Sequence, residues 1–127
     1  MYLHHLGYVF NKNKKNELDK KIKNKINDYI QNNYIYFDFS KKLKLWLEYI
    51  VPMNDKSTVF NFSKKSNEII HHYGFYTKSI NSDKKKLINN DYILINKFKI
   101  KVPVFGGKMK TLFFYKNKNI VELITKI

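Results

Sequence analysis

Apolar residues recur every four positions at Leu18, Ile22, Ile26 and Ile30, with Tyr29 beside them and lysines and asparagines on the other faces. This spacing predicts an amphipathic helix over residues 11–33, ended by Asn32-Asn33. Such a helix would pack one stripe on a neighbour, and its seven lysines could also touch phosphate. From Tyr34 to Phe39 the pattern alternates and is aromatic, which suits a short strand or extended arm. Ser40 offers an N-cap for a second helix over 41–51, where Leu43, Trp46, Leu47 and Ile50 share one face before Pro52 stops it. Residues 53–65 carry mixed signals and read as a linker.

The second half is more sharply punctuated. Ser66 precedes Glu68-Ile69-Ile70-His71-His72-Tyr73, read as a two-turn helix closed by Gly74. After a loop over 77–82, residues 83–90 predict a second short helix carrying Lys84-Lys85-Lys86 and the apolar pair Leu87-Ile88. Residues 92–95 read as a strand and Asn96-Lys97 as a two-residue turn. In the next strand Phe98, Ile100 and Val102 should face a core while Lys99 and Lys101 face out. Gly106-Gly107 turns the chain again, and 111–115 and 120–124 complete a small sheet.

Composition narrows the classes. The 127 residues include no cysteine, which excludes disulfides, thiolate metal sites and thiol nucleophiles. All 25 basic residues are lysine, and with 10 acids the net charge is +15, which calls for a polyanion or a screened site. At 43% hydrophobic and 17% aromatic the chain is too apolar for a disordered basic tail. No apolar run approaches the about 20 residues of a membrane helix, and no targeting segment is recognisable at Met1 to Phe10. The abundance of Lys, Asn, Ile, Tyr and Phe follows A/T-rich codons, an association that points to an organellar or AT-rich genome.

No catalytic set can be assembled. His4-His5 and His71-His72 are adjacent pairs, whereas two ligands on one helix face need a spacing of three or four. No metal site and no cofactor are therefore expected, and packing or RNA contact is the expected role of these histidines. Gly106-Gly107-Lys108 lacks the flanking residues of a phosphate-binding loop and reads as a turn. Residues 66–127 carry 12 lysines against 4 acids. A helix bearing Lys84-Lys85-Lys86 and a hairpin bearing Lys97, Lys99 and Lys101 could present one basic surface to phosphates. Tyr76 and Tyr92 could stack on an unpaired base, although core packing is the simpler role.

The run Leu87-Ile88-Asn89-Asn90-Asp91-Tyr92-Ile93-Leu94-Ile95-Asn96-Lys97-Phe98-Lys99-Ile100-Lys101-Val102-Pro103 resembles the signature of the RNA-binding domain of small-subunit ribosomal protein S-four. Upstream, Asn67 to Phe75 is similar to a second block of that family, with His72 where the family has an arginine. Downstream, Ile120 to Lys126 resembles its closing strand. The resemblance spans about residues 66–127. Together with the helices that apolar spacing predicts in the first half, the expected fold is an α+β chain with a helical N-terminal extension and linker at 1–65. A small RNA-binding domain follows at 66–127, with two short helices packed on a mostly antiparallel sheet. The resemblance further implies a non-enzymatic constituent of a small ribosomal subunit, and the short length, the lack of a recognisable targeting segment and the A/T-codon bias point to an organellar one, mitochondrial or alternatively plastid. Its partners would be small-subunit rRNA and neighbouring ribosomal proteins, with no membrane and no small-molecule substrate. RNA contact would fall to His72, Lys78, Lys84, Lys85, Lys86, Asn89, Asn96, Lys97, Lys99 and Lys101. The alternatives are a non-ribosomal RNA-binding assembly factor and an accessory subunit of an organellar membrane complex.

Overall fold

In a computed structural model, which describes residues 1–65 and 69–127, the chain is mostly strand. The strands are β1 (Tyr2–Val9), β2 (Asn24–Asp28), β3 (Asn33–Ser40), β4 (Leu45–Pro52), β5 (Ile70–Tyr76), β6 (Ile93–Val102), β7 (Gly107–Lys116) and β8 (Asn119–Lys126). The helices are short: α1 (Lys15–Lys21), α2 (Phe60–Ser63) and α3 (Ile80–Asn89). The described residues form two compact units, Leu6–His71 and Met1–His5 with His72–Ile127.

In the unit of residues 6–71 the strand order is β2-β3-β4-β1. β3 pairs antiparallel with both β2 and β4. The Phe10 amide, just past β1, donates to the Ile50 carbonyl at 2.9 Å. Helix α1 lays Leu18 into a cluster with Phe10, Tyr36 and Val51, flanked by Tyr8, Ile22, Tyr34 and Tyr49. In the other unit the order is β1-β5-β8-β7-β6, with β5 and β8 parallel and the β6-β7-β8 ladder antiparallel. Helix α3 packs Leu87 on Leu112, Phe114, Val121 and Leu123, with Phe75, Ile80, Tyr92 and Leu94 around them. The chain thus runs twice through strand, helix, strand, strand, strand: β1-α1-β2-β3-β4, then β5-α3-β6-β7-β8.

This corrects the expected helical extension followed by a small domain of two helices on a sheet. The helix predicted over 11–33 ends at Lys21, and Ile22 is already extended at φ −122° and ψ 124°. A four-residue apolar repeat fits one helix face, but it also fits every second pleat of a strand. Ile22 and Ile26 follow the second reading, with Ile26 in β2, while Ile30 is 87% exposed in the turn beyond. The helix predicted over 41–51 is a turn followed by β4. Ser40 does bond the backbone three residues on, its Oγ accepting from the Leu43 amide at 3.1 Å, but this closes the β3-β4 hairpin rather than starting a helix.

The helix predicted over 68–73 is β5 from Ile70 onward, where β-branched and aromatic residues predominate. Ser66, Asn67 and Glu68, its predicted start, lie outside the described residues. Residues 92–97 form no hairpin, because β6 runs unbroken from Ile93 to Val102. The apolar phase changes between Ile95 and Phe98 because the ladder slips by one residue between Leu94 and Asn96. A β-bulge shifts alternation as a turn does. Beyond it the predicted alternation holds: Lys99 and Lys101 are exposed, Phe98 and Ile100 half-buried and Val102 buried.

Candidate metal centre

Three neighbouring strands bring together two imidazoles and a carboxylate. His5 is on β1, His72 on β5 and Glu122 on β8. The β5-β8 register pairs Gly74 with Glu122, so the carboxylate leaves β8 beside a residue without a side chain. The His5 ring occupies that space, because a Cβ on Gly74 would lie 2.0 Å from His5 Cε1. This close approach, rather than a helix cap, accounts for the glycine. On β7, Phe113 pairs with Glu122 and its ring meets His72 edge-on at 5.3 Å.

His5 Nε2 lies 2.7 Å from Glu122 Oε1, His72 Nε2 lies 3.3 Å from the same oxygen, and the two Nε2 atoms are 3.1 Å apart. All three residues are buried, His5 and His72 at 1% exposure and Glu122 at 5%. A buried carboxylate must be paired. Burial pushes the Glu122 carboxyl upward, but His5 and His72 beside it outweigh this and hold it below the ordinary carboxylate range. On its other side His5 Nδ1 meets His4 Nδ1 at 2.9 Å, which fixes the ring with Nε2 turned toward Glu122.

Three donor atoms forming a triangle of 2.7, 3.1 and 3.3 Å suit adjacent corners of a first-row metal's coordination sphere. Metal–ligand bonds of about 2.1 Å place neighbouring ligands about 3 Å apart. Two imidazole nitrogens with one carboxylate oxygen favour zinc, iron, manganese, cobalt or nickel over calcium. The residues present therefore fit a divalent cation.

Of the residues expected to touch RNA, His72 belongs to this buried cluster. Lys78 precedes α3, and Lys84, Lys85, Lys86 and Asn89 are on α3, where Lys86 Nζ approaches the buried Asp83 at 3.7 Å. Asn96, Lys97, Lys99 and Lys101 lie along β6. Sequence reasoning missed His5 and Glu122 and expected no metal ligands. The test of spacing along one helix was the wrong one, because one histidine of each adjacent pair is presented by its own strand. An internal repeat carries the signal. His4-His5-Leu6-Gly7-Tyr8 and His71-His72-Tyr73-Gly74-Phe75 share a His-His-x-Gly-aromatic pattern. Trp46-Leu47-Glu48-Tyr49-Ile50 and Ile120-Val121-Glu122-Leu123-Ile124 each embed one glutamate in an apolar strand. Glu48 is the fourth residue of β4, as Glu122 is of β8.

No family model matches the chain, and no curated protein sequence is similar to it. Solved structures are. A methylmalonyl-CoA epimerase from Mycobacterium tuberculosis superposes with a TM-score of 0.74 over 99% of this chain and 88% of its own, at 11% identity. A hypothetical protein from Bacillus halodurans C-125 gives 0.76 over 98% and 94%, at 22% identity. The Streptomyces coelicolor methylmalonyl-CoA epimerase in complex with 2-nitronate-propionyl-CoA gives 0.73 over 99% and 94%, at 14% identity. These matches correct the resemblance to ribosomal protein S-four and, with it, the reading as a ribosomal, rRNA-binding protein. They equally overturn the expectations of no enzyme and no small-molecule substrate, since the similar structures include enzymes and one holds an acyl-CoA analogue. The short S-four-like blocks had matched a pattern of apolar alternation and lysines that this different strand arrangement also produces. The chain has the fold of the methylmalonyl-CoA epimerases, the glyoxalase-type fold.

Proposed function

We propose that the chain is a divalent-metal-dependent enzyme acting on a small carbonyl or carboxylate substrate, with shift of a proton next to the carbonyl as its reaction. Acyl-CoA epimerisation is the form of that reaction supported by the epimerases that share the fold. The observation that carries the reading is the convergence of His5 Nε2, His72 Nε2 and Glu122 Oε1 within 3.3 Å of one another in a buried setting.

A bound divalent cation supplies Lewis acidity, polarising a carbonyl so that the adjacent C–H is more acidic. The chain's own residues prepare that setting. His5 and His72 would offer one imidazole nitrogen each to a cation, giving up any proton there, and Glu122 would contribute a carboxylate with one negative charge. With a divalent ion held by His5, His72 and Glu122, the site would carry a net positive charge and would favour an oxyanion. Burial strengthens every charge interaction there. His4 holds the His5 ring, and Gly74 leaves room for it. The net charge of +15 favours the approach of an anionic substrate.

The test is exchange of the α-proton of methylmalonyl-CoA in D2O, followed by proton NMR, with protein loaded with Co2+ or Mn2+. Loss of the α-proton signal is expected, slowed at least about 100-fold in His72→Ala and Glu122→Gln. Tight metal binding without exchange would sink the proposed substrate, and failure to bind metal would sink the whole reading.

A further inference from the structure

The β6-β7 hairpin carries a second organised feature, built from lysines. Its register sets Lys99 opposite Lys110 and Lys101 opposite Lys108. Directly opposed residues project from the same face, with Cβ atoms about 5 Å apart. Lys97, two residues before Lys99, shares that face. Five lysines thus form two adjacent rows, with steps of about 7 Å along each strand. Lys97, Lys99, Lys101 and Lys108 are exposed and Lys110 is half-buried. Neither strand contains an acidic residue.

Lysines on an edge strand can serve to discourage edge-to-edge pairing. β6 stands at the end of the strand order, so this would account for Lys97, Lys99 and Lys101. It does not account for Lys108 and Lys110, because β7 is paired on both sides, with β6 and β8. Like charges directly opposed across a ladder oppose folding. Two consecutive lysine–lysine pairs therefore work against the hairpin unless anions outside the sheet compensate them.

We propose that this face binds an acidic, extended segment of a partner protein, one with Asp or Glu at alternate positions. Alternate side chains of an extended chain repeat every about 7 Å, the same step as the lysine rows. The outer edge of β6 offers backbone N–H and C=O groups on which such a segment adds as a further strand. Phe98 and Phe113, stacked at 5.7 Å, lie on the opposite face of the hairpin, where Phe113 also meets His72. Partner binding is therefore separate from the metal ligands.

A fluorescein-labelled eight-residue peptide alternating Asp and Val, titrated with the full chain and read by anisotropy at low salt, tests the proposal. Saturable binding is expected, weakened at least about tenfold by K99Q/K110Q and by K101Q/K108Q. Added salt should weaken it steeply, whereas K84Q/K85Q on α3 and H72A should leave it unchanged. Circular dichroism melts confirm that each variant is folded. Unchanged binding in both hairpin variants, or equal binding of an alternating Lys-Val peptide, overturns the proposal. Tighter binding of oligouridylate than of the acidic peptide also overturns it, in favour of a nucleic acid.

Discussion

Gly74 shows how much one residue can hold in place. It is buried, its backbone pairs with Glu122, and the His5 imidazole fills the space a side chain would take. With a Cβ predicted 2.0 Å from the ring, Gly74→Ala must move either β5 or His5. We expect it to cost about 1–3 kcal/mol of stability, as overpacking typically does. Co2+ affinity should fall at least about tenfold, since displaced ligands bind poorly. Denaturant melts and calorimetric titration read the two effects, and unchanged values for both would mean that the ring is free to relocate. The histidines themselves were visible in the sequence, but as adjacent pairs they looked like poor ligands. Only one member of each pair joins the centre, and His4 instead meets the His5 ring on its Nδ1 side, away from the carboxylate.

Among the elements, α3, β3, β7 and β8 were legible because propensity, alternation and turn residues agreed. The helices expected over 11–33 and 41–51 were not, because apolar spacings of three and four residues also fit strands once a partner strand is present. The β7-β8 turn is a case where local chemistry can be improved. Asn117 and Lys118 have φ of 50° and 67°, the paired positive values of a type I′ turn, for which Asn-Gly is favoured. Lys118→Gly should therefore stabilise the protein by about 0.5–1 kcal/mol, read as a higher melting temperature. A second test concerns the tether of α1. Asp19 accepts from Lys15 at 2.7 Å, Tyr36 at 2.6 Å and Lys25 at 3.0 Å, tying α1 to β3 and β2. The Lys15 ammonium foremost, then the Tyr36 hydroxyl and Lys25, hold its carboxyl well below the ordinary carboxylate range. A depressed carboxyl contributes stability that is present above its unfolded pKa and is lost as pH falls through its folded pKa. Asp19→Asn should thus lower the melting temperature at neutral pH and flatten its decline in acid. A parallel downward shift at every pH would assign the loss to packing instead.

For the whole molecule, the candidate centre links ligand binding to folding. An ion that binds the native chain and not the unfolded one adds stability of about 2.7 kcal/mol at a hundred times its Kd. For a chain of this length that corresponds to a rise of about 10 °C in melting temperature, reversed by chelator. Glu122→Gln should abolish most of the rise, and a wild-type melting curve indifferent to zinc, cobalt and manganese would argue against the centre. Read by itself, the sequence determined the large positive charge, the absence of thiol chemistry, the third helix and the in–out alternation of β6 from Phe98 onward. Those properties depend on composition and on neighbours within a few residues. Tertiary structure alone decided that Asn24–Asp28 and Leu45–Pro52 are strand rather than helix, and that His5 meets His72 and Glu122 across 67 and 117 residues of sequence. Such contacts depend on which strands lie side by side and in what register. That is set by long-range backbone pairing and core burial, which local periodicity does not encode.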